Sequence, residues 1–143
     1  MKSKNISIFD RVKTFEDACN IAGVNSVLFN KYCLECYYPE DTIAYEKLKI
    51  IISVLNEGWK PNWDNSNEYK WYPYFNMAGG FVFVGTHYLY GNAHTFVGSR
   101  LCFKTENGAI YAAKQFLDLY RIFYTYQNDI TRNTLFEKFK AQL

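Results

Sequence analysis

One stretch constrains this chain more than any other. From Tyr69 to Thr105 there are 37 residues without an Asp or Glu, and eleven of them are Phe, Tyr or Trp. Lys70, Arg100, Lys104, His87 and His94 give it its charge and polarity. Such a segment either fills a core or presents flat aromatic faces in a positive field, and the second arrangement suits nucleic acid. Three strand-like runs lie here, at residues 69–75, 81–90 and 96–104, with Gly79-Gly80 and Gly91-Asn92 as turn signals between them. The simplest arrangement is a three-stranded antiparallel meander. Pro73 has no N–H to give a ladder, which puts the first strand at an edge.

Helical patterns flank this stretch. Thr14, with Asp17 three residues later and Gly23 as a stop, frames a helix over 15–22 whose Phe15, Ala18, Cys19 and Ala22 share a face. Residues 24–40 show no clear period, and Pro39 closes them. Asp41 is placed to cap a longer helix over 42–56, ended by Gly58. Ala44, Leu48, Ile51, Ile52 and Leu55 form its apolar stripe, with Glu46, Lys47, Lys49 and Ser53 opposite. Thr105 caps the strongest helical pattern, over 106–126, lined by Ala109, Ala112, Ala113, Phe116, Tyr120 and Phe123. A short amphipathic helix over 133–142 follows, with Leu135, Phe136 and Phe139. The expected fold is therefore α+β, in the order ααβββαα. A three-stranded antiparallel meander packs against about four helices in a single domain, 1–143.

Net charge, only +2, says little about partners, but its distribution says more. Residues 1–68 carry 8 basic and 10 acidic groups, a net of −2, and residues 69–143 carry 8 and 4, a net of +4. The positive half is also the aromatic half. No run of about eighteen apolar residues suggests a membrane helix. Asp10, Arg11, Lys13, Glu16 and Asp17 occupy the place where a secretory signal would need its apolar region. A cytoplasmic location is expected, with the four cysteines reduced.

The candidate sites begin on the third run. There Val97, Ser99, Leu101 and Phe103 alternate with Phe96, Gly98, Arg100, Cys102 and Lys104, which places Arg100 and Lys104 on the open face. Lys70, Tyr72 and Tyr74 share a face of the first strand and extend that surface. Bases would stack on the tyrosines and Phe96 while Lys70, Arg100 and Lys104 meet phosphates. The bland alternative is that helices cover both faces and the aromatics are core.

Other motifs are weaker. Cys33-Leu34-Glu35-Cys36 is half of a structural zinc site, but no second half has a familiar spacing, so buried free thiols are the default. His87 and His94 near Ser99 hint at acyl transfer, yet the acid-free segment supplies no carboxylate to orient an imidazole. No catalytic motif and no cofactor-binding motif stands out. The Trp59/Trp63 loop offers interface anchors, or two tryptophans that simply hold the loop to the core.

Three blocks are distinctive in combination. They are Thr14-Phe15-Glu16-Asp17-Ala18-Cys19; the run from Leu55 through Gly58-Trp59-Lys60-Pro61-Asn62-Trp63 into Lys70-Trp71-Tyr72-Pro73-Tyr74-Phe75; and Ser99-Arg100-Leu101-Cys102-Phe103-Lys104 with Tyr111-Ala112-Ala113-Lys114-Gln115-Phe116. With these, the chain resembles a family of small uncharacterised proteins of bacteriophages and prophages of gut Bacteroides-type bacteria, over roughly residues 12–124. It departs from the pattern at Ala113, where a glycine is expected; alanine favours the helix. The resemblance implies a viral or mobile-element origin, work in the host cytoplasm and a non-enzymatic accessory role, and it assigns no functional residue. The expected function is a binding module with single-stranded nucleic acid as preferred ligand. The alternative is a protein-binding module, a host-directed inhibitor or virion component, using Trp59, Trp63 and the sheet edge.

Overall fold

Hydrogen bonds at the helix ends decide where most elements begin. The computed structural model describes residues 5–89, 95–126, 137 and 140–143. Ser7 caps α1 (Ile8–Arg11), and Thr14 with Asp17 forms a reciprocal capping box on α2 (Phe15–Ala22). Gly23 ends α2 in the left-handed conformation at φ 73°, which a side chain would strain. The Asn25 side chain accepts the Leu28 N–H and starts α3 (Ser26–Glu35). Then come α4 (Glu40–Leu55), β1 (Lys70–Asn76), β2 (Val82–Leu89), α5 (Glu106–Gln115) and α6 (Leu117–Thr125). No helix among the described residues is long and apolar enough to cross a membrane.

The fold is α+β. β1 and β2 form an antiparallel hairpin, with Lys70 opposite Leu89, Tyr72 opposite His87, and a bulge between Tyr74 and Phe75. The core runs along α4, whose Leu48, Ile51, Ile52 and Leu55 are buried with Ala18 and Cys19 of α2. α5 lies on the hairpin with small residues inward, Ala109 and Ala112, and α6 returns against α4, where Tyr45 stacks on Phe123 at 5.3 Å. Gly108 permits this approach: a Cβ there would stand 3.4 Å from the Phe103 ring and 3.2 Å from Thr105 Oγ1.

Several expectations need correction. The third run does not form a strand; its one ladder contact is the Trp71–Phe103 bridge, in which each N–H donates to the other's carbonyl, at 3.0 and 2.7 Å. It thus meets β1, where a meander would have placed it beside β2. Two causes are visible. The next outward position of β1 is Pro73, which cannot donate, and the other edge of the run is taken by Asn56, whose side chain accepts from Lys104 N–H and donates to Cys102 C=O. Leu101, Cys102 and Phe103 are buried in succession, so the expected alternation fails. The helix over 106–126 is two helices that meet at Phe116, with φ −116° and ψ 32°. The bend lets α5 address the hairpin and α6 address α4. Pro39, not Asp41, precedes α4, and it makes no side-chain cap. The aperiodic residues 24–40 contain α3. The helix expected over 133–142 and the Gly91-Asn92 turn lie outside the described residues, apart from residues 137 and 140–142.

Candidate functional site

The C-terminal end of α4 organises a concave surface. Asn56, just beyond α4, holds the 102–104 backbone through both ends of its amide, at 3.0 and 3.1 Å. Trp59 follows in the next turn. Two adjoining clefts share these two residues. The smaller, about 440 Å³, is walled by Trp59, Lys60 and Pro61 on one side and by Ser99 and Arg100 on the other, with Lys49 of α4 also lining it. No carboxylate among the described residues lines it. The larger, about 920 Å³, carries Arg11, Lys104 and Glu57. Lys49 is held by Glu46 at 2.7 Å. Arg11, Lys60, Arg100 and Lys104 form no ion pair with another described residue.

A buried cation shapes the loop that supplies the Trp59 wall. Lys70 is 3% exposed, and its ammonium donates to the carbonyls of Asn65 and Glu68, both at 3.1 Å, and stands 3.4 Å from Glu68 Oε1. It also lies 5.4 Å over the Trp63 ring. Glu68 accepts the Asn62 N–H at 2.7 Å and the Trp59 indole N–H at 3.4 Å. Burial pushes the Glu68 carboxyl up, but the Asn62 N–H, Lys70 and Trp59 outweigh it, and the group titrates below its ordinary value. Trp63 donates to Ser99 Oγ at 2.6 Å, which ties this loop to the segment bearing Arg100.

The residues expected to act together are distributed over separate surfaces. Tyr72 and Tyr74 do share a face of the hairpin, with His87, whose ring stacks on Tyr74 at 4.8 Å. Lys70 does not join them at the surface, because residues 62–68 fold over its ammonium and supply its acceptors. Phe96 is exposed, in a turn with φ 27°. Arg100 belongs to the smaller cleft and Lys104 to the larger. Both tryptophans anchor the loop through their indole N–H groups, and Trp59 also lines both clefts. The sequence reading missed Asn56, Lys49, Lys60 and Arg11 as partners of Arg100 and Lys104. The one local signal was Lys60, which sits between Trp59 and Pro61.

The chain matches no known protein family, curated protein or solved structure. Among the described residues, no three His, Cys, Asp or Glu side chains converge as a metal-ligand group. Cys33 is buried in α3 while Cys36 is exposed at its end. Ser99 Oγ takes the Trp63 N–H, His87 stacks on Tyr74, and His94 lies outside the described residues. A tryptophan flanked by cations and amides suits a ligand with both negative charge and a flat face.

Proposed function

We propose that this chain is a binding module whose ligand is single-stranded nucleic acid, held along the clefts that meet at Trp59 and Asn56. The observation that carries this reading is the smaller cleft, which gathers Lys49, Lys60 and Arg100 around Trp59 with no carboxylate of the described residues in its lining. Phosphates meet Lys60 and Arg100, with Arg11 and Lys104 continuing the path, and a base rests against Trp59. The tyrosine face of the hairpin is separate from this path. A phage-type accessory role in the host cytoplasm is part of the proposal, and the sequence blocks given above support it.

Fluorescence anisotropy with a labelled oligothymidylate at low salt tests this reading. Lys60→Ala with Arg100→Ala is expected to weaken binding and to flatten the log–log salt slope by about 1.4, at roughly 0.7 per lost phosphate contact. Trp59→Ala is expected to weaken binding by ~1–3 kcal/mol per stacked base with the slope unchanged. Absence of binding to any single-stranded oligonucleotide at low salt overturns it.

The exposed apolar side chains of α3 favour a second reading, protein binding. Val27, Leu28 and Leu34 are 74%, 62% and 72% exposed, more than a packed helix leaves open. If this reading holds, a partner recovered with the chain survives nuclease treatment and is lost on Leu28→Lys.

A further inference from the structure

An ammonium has three N–H donors, and those of Lys70 face three acceptors of its own chain: Asn65 C=O, Glu68 C=O and Glu68 Oε1. At 3% exposure the ammonium is enclosed by these groups and does not face a ligand. Glu68 in turn grips the chain on both sides of Lys60 and Pro61, through the indole N–H of Trp59 and the backbone N–H of Asn62. The same loop reaches the opposite wall through Trp63 and Ser99, next to Arg100. The span from Trp59 to Lys70 therefore forms a closed frame, with the Glu68–Lys70 pair at its hub and the smaller cleft between its two sides.

We propose that Glu68 and Lys70 are positioning residues, which set the separation of the Trp59–Lys60 wall from the Ser99–Arg100 wall without touching the ligand. The inference rests on the nucleic-acid reading of the cleft. A bound strand needs cations spaced to its phosphates, and exposed lysine and arginine stems do not hold a spacing unless the backbone beneath them is fixed. A loop rich in Asn, Asp and Ser has little apolar surface to fix it, so a central charged pair takes that part. Asx-type bonds, Asn62 Oδ1 to Asp64 N–H and Asn65 Oδ1 to Asn67 N–H, shape the turns between the fixed points.

Lys70→Met removes the donor to the Asn65 and Glu68 carbonyls and leaves the half-buried Glu68 carboxylate unpaired, so alone it is expected to damage folding. Two other variants keep the test open. Glu68→Gln keeps an acceptor for Asn62 but removes the charge. Glu68→Gln with Lys70→Met removes both charges and restores stability toward wild type. For the double variant, affinity for oligothymidylate is expected to fall about tenfold, the scale of one charged hydrogen bond, with the salt slope unchanged. If binding recovers along with stability, the pair serves folding only and the proposal is overturned. A changed slope also overturns it, since it makes Lys70 a phosphate contact. Hydrogen exchange of the ligand-free protein separates this inference from the reading beneath it. The Asn62 amide is expected to exchange about tenfold faster in Glu68→Gln, with α4 amides unchanged. Unchanged Asn62 exchange overturns the frame, whether or not any oligonucleotide binds. Faster Asn62 exchange in Glu68→Gln, together with a wild-type protein that binds no oligonucleotide, sustains the frame and overturns only the ligand.

Discussion

Lys70 and Cys102 are both enclosed, and enclosure changes what each can do. Alternation placed Lys70 on an open face with Tyr72 and Tyr74, but the Lys70 ammonium is buried. It had no means of showing that an Asn-rich loop closes over the ammonium, because that closure depends on backbone carbonyls that no residue pattern reveals. For Cys102 the consequence is reactivity: burial pushes its thiol to about 11, and burial likewise raises Cys19 and Cys33. Thiolates are the reactive form, and Cys36 alone of the four is exposed. A thiol reagent such as DTNB at pH 8 is expected to modify one cysteine quickly in the native protein and four in denaturant. Two or more fast thiols in the native state would contradict this burial. Phe116 is also a residue-scale case, since its ring is buried where α5 meets α6. Phe116→Ala is expected to cost ~3–5 kcal/mol in denaturant melts. Exposed Lys114, two residues earlier, is expected to cost no more than about 0.5 kcal/mol as alanine.

At the scale of elements, legibility followed burial. α2, α4 and α5 announced themselves because each buries one stripe and two of the three carry side-chain caps. α3 did not, because its Val27, Leu28, Tyr32 and Leu34 lie outside the core and only Cys33 is buried, so no helical period separates inside from outside. Its one local signal was the Asn25 cap. The third run shows the opposite failure, a strand-like composition without a strand. Leu101 and Phe103 join the core cluster that α4 and α5 also line, and a side chain from α4's end replaces the strand partner that the composition implied. Asn56→Ala leaves the buried Cys102 carbonyl without that donor. It is expected to cost ~1–3 kcal/mol and to loosen both clefts, seen as faster exchange of the Lys104 amide. An unchanged Lys104 amide would show that the run is held by Phe103 alone.

Over the whole molecule, the division into a negative first half and a positive second half does not describe the charged surface. The smaller cleft takes Lys49 and Lys60 from the first half and Arg100 from the second. Charge counted along the chain found Arg100 and Lys104, but the surface they belong to is assembled by folding. The α+β class, the hairpin and its Gly79-Gly80 turn were legible; the grouping of cations around Trp59 was not, since it needs α4, the loop and the third run in register.

The link between α1 and α2 is fastened to α5, with an outcome for the order in which the protein matures on the ribosome. Tyr111 Oη donates to the Val12 carbonyl, and Gln115 Nε2 donates to the Lys13 carbonyl at 2.7 Å, across 99 and 102 residues of sequence. Val12 is fully buried, so the seat of the first two helices is finished only after α5 has been synthesised. Until then the emerging chain carries α2 and α4 with part of their apolar stripe uncovered, a state suited to chaperone capture. Nascent chains arrested before Tyr111 are expected to be cut readily by protease within the first 55 residues. Chains arrested with α6 fully emerged are expected to resist there, and equal resistance at both lengths would show that the early helices mature alone.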